Sequence, residues 1–508
     1  RLQDRADADA DPCAPPCGRA LYLVAEKIVA AHEEVPRDWA VHGSTGYRFA
    51  NLVNGLFVER RHAARMERIW RDFGDAMQSY DDMVRQGKGL AARQTMAAQL
   101  NRLTHALQRI ALQDLRTRDY SFNTLREALA EVAVAMPVYR TYVVQRASAQ
   151  DRQFIDWAVA QARRQAPRLP PALFDFLRRC LLLEWPQTVD VAPDTCRAFA
   201  MAFQQFCAPV AAKGIEDTAL YRYHRLVSLN EVGGDPAVFG IGATAFHGAS
   251  RDRQARWPYT MLATSTHDSK RSEDVRNRIN VLSEEPAAWR LALRRWRTQT
   301  RSWRREVDGA LAPSAADLVL LQQTLLGTLP AEGLSAHTLA AYRQRIQAYM
   351  LKAAREARLQ TNWVAPNAAY EDALRQLIGG VLGRVDGNPV LADLQARAAR
   401  IAWFGALNSL AMTVLKFTSP GVPDLYQGTE LIDLSLVDPD NRRPVDFALR
   451  ERCLAELEAD LVALDLQDRL AALATSPTDG RLKLWLAWRL LALRQSEPEL
   501  FQRGRYTA

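Results

Sequence analysis

Hydrophobic and polar positions along the chain fall into two textures. "ALYLVAEKI" (20–28) is a short, mostly apolar run without alternation, with Glu26 near its C-terminal end. Such a run predicts a strand buried on both faces, as in a parallel sheet. From about 59 to 205 the spacing turns helical: Leu100, Leu103, Leu107 and Ile110 recur three and four apart. Thr124 with Glu127 reads as a capping box ahead of Leu125, Leu129, Val132 and Met136. Pro137 and "RLPP" (168–171) punctuate this block.

The short apolar run followed by a polar, Gly-containing loop returns three more times. It does so in "APVAAKGIEDTALYRYHRLVSLNEVGGDP" (208–236), "YTMLATSTHD" (259–268) and "VLKFTSPGVPDLYQGTEL" (414–431). A second helical block, rich in Ala, Leu, Arg and Gln, runs from about 285 to 413, and a further helix is predicted at about 480–497. Strand, polar loop, helices, four times over, reads as α/β with parallel strands. Polar residues clustered after each strand mark the catalytic face of a (β/α)8 barrel. Four units are half of one. The expected fold is therefore α/β: the C-terminal half of a (β/α)8 TIM barrel carrying large helical insertions.

Composition narrows the class. The 508 residues are 48% apolar and 24% charged, ordinary globular values, and the length suits about three domains or one large elaborated one. A net charge of +8 without a basic block gives no reason to expect nucleic acid as a partner. Six cysteines, at 13, 17, 180, 196, 207 and 453, complete no zinc set and read as free thiols in a reducing cytoplasm. No apolar run reaches the ~18 residues of a membrane span, and no signal peptide is visible. No metal or organic cofactor is called for, and a monomer is expected. Arg1 opens the chain in mid-pattern and "RGRYTA" closes it, so both ends read as cut from a longer protein.

The chemistry concentrates in "LATSTHDSKRSEDVR" (262–276), where an apolar-to-hydroxyl run stops at His267 and Asp268 and a series of charges begins: Lys270, Arg271, Glu273, Asp274 and Arg276. One acid at a strand end reads first as a structural or solvated group, and one His-Asp pair as a hydrogen-bonded core pair or a metal ligand set. Two carboxylates and a His on one barrel face suit glycosyl transfer. One carboxyl protonates the leaving oxygen, another attacks or stabilises the cation-like transition state, and His hydrogen-bonds sugar hydroxyls. "HGSTGYRF" offers His42, Ser44, Thr45 and Tyr47, as a turn-rich loop or as sugar contacts. "KGIEDTALYRY" offers Lys213, Glu216, Asp217, Tyr221 and Arg222, as site groups or as an internal salt-bridge network. In "PGVPDLYQG" the prolines and glycines fix a rigid loop, with Asp424, Tyr426 and Gln427 at the expected pocket edge. Lys27, Lys270 and Arg271 join the candidate substrate-binding groups. Each of the 12 Trp is core by default, a few being candidates for stacking on sugar.

Four stretches carry a family resemblance: "VAEKI" (24–28) with "DWAVHGSTGYRFANLVNGLFV" (38–58), "AKGIEDTALYRYHRLVSLNEVGGDP" (212–236), "TSTHDSKRSEDVRNRI" (264–279), and "SPGVPDLYQGTEL" (419–431) with "VDPDNRRPVDF" (437–447). The chain resembles the α-amylase family of glycosidases, and its trehalose-forming branch most closely. The resemblance implies an intramolecular transglycosylation with retention. The reducing-end α-1,4 bond of a maltooligosaccharide is cleaved, the glucose stays bound and turns, and it is rejoined in an α,α-1,1 linkage while water is kept out. It matches Glu26 to the general acid/base, Asp268 to the transition-state stabiliser and His267 to a sugar-binding histidine. The nucleophilic aspartate has no match. Its "R-x-D" strand is expected upstream of Arg1, and none of Asp4, Asp7, Asp9 and Asp11 is assigned. On this reading the chain would be inactive by itself and its parent active.

The segments expected are a barrel piece with the acid/base strand (1–58), a helical insertion (59–205), a barrel piece with the His-Asp strand (206–284), a second insertion (285–400), the last strand and helix (401–500), and the start of a C-terminal β-domain (501–508). An α-glucan hydrolase and a non-catalytic glucan-binding protein are the alternatives.

Overall fold

The computed structural model describes residues 21–184, 193–463 and 466–507. Cys13, Cys17 and the four aspartates of the opening segment lie outside these residues. The chain gathers into two compact units: Val29–Glu33 with Gln78–Tyr223, and the remainder, formed by the residues up to Ile28, Glu34–Met77 and those from His224 onward.

The Gln78–Tyr223 unit is helical, with long helices at Ala97–Ala111, Phe122–Ala135, Ala149–Gln165, Pro171–Leu182 and Pro193–Ala211. Leu100, Leu103, Leu107 and Ile110 are all buried, in one core with Leu125, Leu129 and Val132, as the three-and-four spacing predicts. The cap is displaced from expectation. Ser121, not Thr124, is the N-cap, its side chain accepting the Thr124 N–H. Thr124 and Glu127 thus fall inside the first turns, and the reciprocal box belongs to Ser148 and Asp151. Helix Tyr80–Leu90 crosses the turn Ala212–Glu216 so closely that a Cβ on Gly87 would come within 2.2 Å of the Gly214 carbonyl oxygen.

The other unit holds a small parallel arrangement. Ala25 bridges Ser44 in parallel, and its N–H donates to the Gly43 carbonyl at 2.9 Å. The Met261 N–H donates to Ser44 at 3.2 Å. Met261–Leu262 pairs in parallel with Val422–Pro423, and the Asp424 N–H closes the ladder on Leu262 at 3.0 Å. Four extended pieces therefore lie side by side in chain order. Helix Tyr47–Leu56 packs on the strand Met261–Leu262, and helix Pro389–Thr418 packs against Tyr47–Leu56, Glu273–Asn280 and Arg481–Ser496.

Four apolar runs were expected to be strands. The first keeps only a single bridge, at Ala25, and exposes Leu21, Tyr22 and Leu23 rather than burying both faces. The second is not a strand. Residues 208–211 end helix Pro193–Ala211, and the chain continues into a helical turn, Ala212–Glu216, and 3-10 turns. A short apolar run lacks the length to reveal its period, so a buried helix end imitates a buried strand. The missing extended piece is instead 42–44, inside the stretch read as a turn-rich loop. Likewise 414–418 complete helix Pro389–Thr418, and the strand is only Val422–Pro423. The second helical block also contains a hairpin, Arg305–Val307 with Ala310–Ala312. Its turn residues Asp308 and Gly309 both have positive φ, 52° and 77°. Asp-Gly is the dipeptide such a two-residue turn favours.

The expectation that no segment could span a membrane also changes. Helix Pro389–Thr418 is long and apolar enough, with a mean hydropathy of 1.3 over its best stretch. In the structure 44% of that stretch is buried against the protein.

Candidate active site

Glu26 comes just after the first extended piece. Backbone and side chain of His42 clamp that piece: its N–H donates to Leu23 O at 2.6 Å, and its Nδ1 accepts the Leu23 N–H at 3.1 Å. His42 is buried between the rings of Tyr22 and Tyr259, at centroid distances of 5.2 and 6.1 Å. The chain then turns at Gly46, with φ 92°, where a Cβ would sit 2.5 Å from the Ala263 nitrogen. Only a residue without a side chain allows helix Tyr47–Leu56 to start so close to the next strand. Tyr47, the first residue of that helix, brings its hydroxyl within 3.4 Å of Glu26 Oε1, and Thr266 Oγ1 lies 3.5 Å from the same hydroxyl. Burial, with Asp268 and Glu26 nearby, pushes the Tyr47 phenol up to about 12 against the pull of the Thr266 hydrogen bond. It therefore stays a neutral donor at physiological pH.

His267 and Asp268 sit on the turn beyond the strand Met261–Leu262. The Asp268 N–H donates to Thr266 Oγ1 at 3.2 Å, and the Thr266 N–H to Ser269 Oγ at 2.9 Å. His267 Nε2 lies 3.5 Å from Asp268 Oδ2, with both side chains about half exposed. Asn441 Nδ2 donates to the His267 carbonyl at 2.9 Å, and the Asn441 carbonyl accepts from Tyr426 Oη at 3.2 Å, which joins this turn to the loop after Val422–Pro423. The donor atoms of Glu26, His267 and Asp268 all lie within 4.8 Å of one another. That spacing would also admit a cation.

Beneath the turn the charges are buried. Glu231 accepts the N–H groups of Lys270 and Arg271, each at 2.8 Å. Glu273 accepts from the Thr264 hydroxyl and sits 2.8 Å from Lys483 Nζ and 3.8 Å from Lys416 Nζ. Lys416 also donates to Thr264 Oγ1 at 2.8 Å. Asp424 is half-buried. Burial raises its carboxyl pKa, more than Lys416 lowers it.

No family model matches the chain. Over 489 residues, 96% of its length, it is 33% identical to a curated Mycobacterium tuberculosis protein provisionally named maltooligosyl trehalose synthase, of which it spans 56%. The solved maltooligosyltrehalose synthase of Arthrobacter ramosus superposes with a TM-score of 0.77 at 34% identity, covering 94% of this chain and 55% of that one. A second solved structure, DSM5389 glycosyltrehalose synthase, gives 0.71 at 30% identity, over 94% and 54%. The chain is similar to maltooligosyltrehalose synthases over nearly all of its length. It spans about half the length of the curated relatives it matches.

The residues singled out in the sequence divide in two. Glu26, His267, Asp268 and Tyr47 come together, and Asp424, Tyr426 and Gln427 lie on the loop after the last strand. Lys27, His42, Lys270 and Arg271 are close in sequence to that site but buried, and Arg271 donates to Tyr349 Oη at 2.7 Å. Lys213, Glu216, Asp217, Tyr221 and Arg222 belong to the Gln78–Tyr223 unit. There Lys213 pairs with Asp217 at 2.7 Å and Glu216 accepts from Tyr139. An internal network of that kind was the alternative to a site role.

Sequence reasoning missed Thr266, Asn441, Glu231, Lys416 and Lys483. One signal was available for the last two. Of 66 basic residues only seven are Lys, and five of those, Lys27, Lys88, Lys270, Lys416 and Lys483, are buried. In a chain that otherwise uses Arg, a rare Lys marks a place where a compact point charge is enclosed.

Proposed function

We propose that this chain supplies the acid/base side of an α-amylase-type (β/α)8 barrel, within an isomerase that converts the reducing-end α-1,4 bond of maltooligosaccharides to an α,α-1,1 bond. The observation that carries the reading is the meeting of Glu26, His267 and Asp268 donor atoms within 4.8 Å, after two extended pieces that flank the piece at Ser44. Glu26 protonates the glycosidic oxygen as the bond breaks. The retained glucose turns, and Glu26 takes the proton from its anomeric hydroxyl as the new bond forms. Asp268 and His267 hold sugar hydroxyls and favour the cation-like transition state. Tyr47, a neutral donor beside Glu26, orients its carboxyl. The nucleophilic carboxylate of a retaining route is not assigned among these residues.

In this reading Asp424, Tyr426 and Gln427 edge the sugar pocket, and Lys27, His42, Lys270 and Arg271 shape it from behind. The protein works as a cytoplasmic monomer without cofactor, in keeping with the free, buried thiols of Cys180, Cys196, Cys207 and Cys453.

The test is to incubate the complete encoded protein with maltopentaose and track reducing ends and free glucose. Loss of reducing ends with little glucose supports the isomerase. Rising reducing sugar identifies a hydrolase instead, and no change in either supports a binding protein.

A further inference from the structure

A cavity of about 660 Å³ opens on the unit that contains Glu26, on elements other than those that carry the candidate site. Five arginines line it, Arg290, Arg294, Arg297, Arg301 and Arg304, with Asp72 the one carboxylate on its wall. The first three stand at i, i+4 and i+7 of helix Pro286–Gln299, and the other two lie in and just after the turn Arg301–Trp303. Like charges at that spacing repel one another along a helix face. Arg290 alone is compensated, 3.3 Å from Asp72. Among the described residues, Arg294, Arg297 and Arg301 meet no carboxylate within ion-pair distance. Outside the cavity the same helix is served differently, with Arg295 making 2.7 and 3.0 Å bonds to Asp393. Burial and the charge of Arg297 disfavour the charged form of Arg304, which donates to the Pro313 carbonyl at 2.8 Å. The repulsion is therefore concentrated on the concave side and left there.

Guanidinium forks facing one concave space match phosphate oxygens, which they bind in pairs of charge-assisted hydrogen bonds. From Arg290 to Arg301 the backbone advances about 16 Å, more than one phosphate can span, so the complementary ligand carries several anionic groups. Phe73, Leu291 and Leu311 complete the lining, and the last two are 65% and 55% exposed. They offer an apolar bed to the non-phosphate part of a ligand, and the volume is that of a small-molecule site. We propose that this cavity binds a small organic polyphosphate of the nucleoside di- or triphosphate class, separate from the glucan chemistry.

Calorimetric titration of the complete protein at physiological salt tests this, with ADP, pyrophosphate and inorganic phosphate as probes. ADP and pyrophosphate are expected to bind saturably at one site, and inorganic phosphate at least about tenfold more weakly. The Arg294→Ala/Arg297→Ala double variant, altered only at exposed positions, should lose at least about tenfold in ADP affinity with its melting temperature retained. Arg102→Ala, on helix Ala97–Ala111 of the other unit, should bind as the parent does. ADP stronger than pyrophosphate supports the apolar bed. The proposal is overturned if neither probe binds saturably or if the double variant binds as tightly as the parent. It is also overturned if a DNA duplex binds tightly where ADP does not.

Discussion

Lys483 Nζ lies 2.8 Å from a carboxylate oxygen of Glu273, and both side chains are buried. The same ammonium is 2.8 Å from Asp274. Lys483 comes from the helix Arg481–Ser496, and its partners from Glu273–Asn280, the helix just beyond the His-Asp turn. Burial would raise the Glu273 carboxyl pKa, but Lys416 and Lys483 overcome it and hold it at about 2. Lys483→Met leaves buried Glu273 with Lys416, 3.8 Å away, and takes from buried Asp274 its ion-pair partner; removing one partner of a buried pair costs about 3–5 kcal/mol. Chemical denaturation of the variant should show a loss of that size. A loss below about 1 kcal/mol would mean that the pair is not enclosed as described.

The same group sets an acid limit. A carboxyl held at about 2 when folded, and near its ordinary 4.5 when unfolded, contributes stability that is present above pH 4.5. That stability is lost as pH falls from about 4.5 towards 2. Acid titration monitored by circular dichroism should show a transition in this window. Glu273→Gln, which cannot titrate, should be less stable at neutral pH and flatter below pH 4.5.

Glu231 has a positioning role. Its carboxylate takes the Lys270 and Arg271 N–H groups, two and three residues beyond Asp268, and it is buried. Glu231→Ala would leave both donors unsatisfied, at about 1–3 kcal/mol for each. The expected result is a lower melting temperature together with slower conversion of maltopentaose. Unchanged turnover in a protein that still folds would show that the His267-Asp268 turn does not depend on this clamp.

Tyr47→Phe removes the hydroxyl between Glu26 and Thr266. The contacts are long, 3.4 and 3.5 Å, so a fall in kcat of about tenfold or less is expected, with KM nearly constant. A change confined to KM would assign Tyr47 to substrate contact rather than to orienting Glu26.

How much of this was legible depends on the length of each signal. The helix carrying Leu100, Leu103, Leu107 and Ile110 repeats its period often enough to be read, and all four residues are buried. Met261–Leu262 and Val422–Pro423 are ladders of two residues. So short a strand has no period, and its assignment rests on flanking turn residues that helices share, which is how 208–211 and 42–44 exchanged places. Glu26, His267 and Asp268 could be read because chemistry, not period, marks them. Lys416 and Lys483 join the Glu273 network from helices about 140 and 210 residues further along the chain, and only packing connects them.

Lys88 gives a second pH signature of the same sign, in the alkaline range. It is buried, donates to the Met136 carbonyl at 2.7 Å, and burial lowers its pKa from 10.5 to about 8. The folded chain therefore releases this proton before the unfolded chain does. Stability should rise between pH 8 and 10.5, by roughly 3 kcal/mol from this group. Urea denaturation of the parent and of Lys88→Met across this range isolates the contribution, because the variant lacks the rise. Parallel curves would contradict it.

The central claim is that Glu26 carries the proton transfers of an α-1,4 to α,α-1,1 rearrangement. The most direct measurement is a proton NMR time course of maltopentaose with the complete protein and with Glu26→Gln, watching the anomeric signals. With the parent, the α,α-1,1 signal should grow at the expense of the reducing-end signals. With the variant it should grow at least about a hundredfold more slowly, while maltopentaose still binds. Growth at the parental rate in Glu26→Gln would contradict the claim.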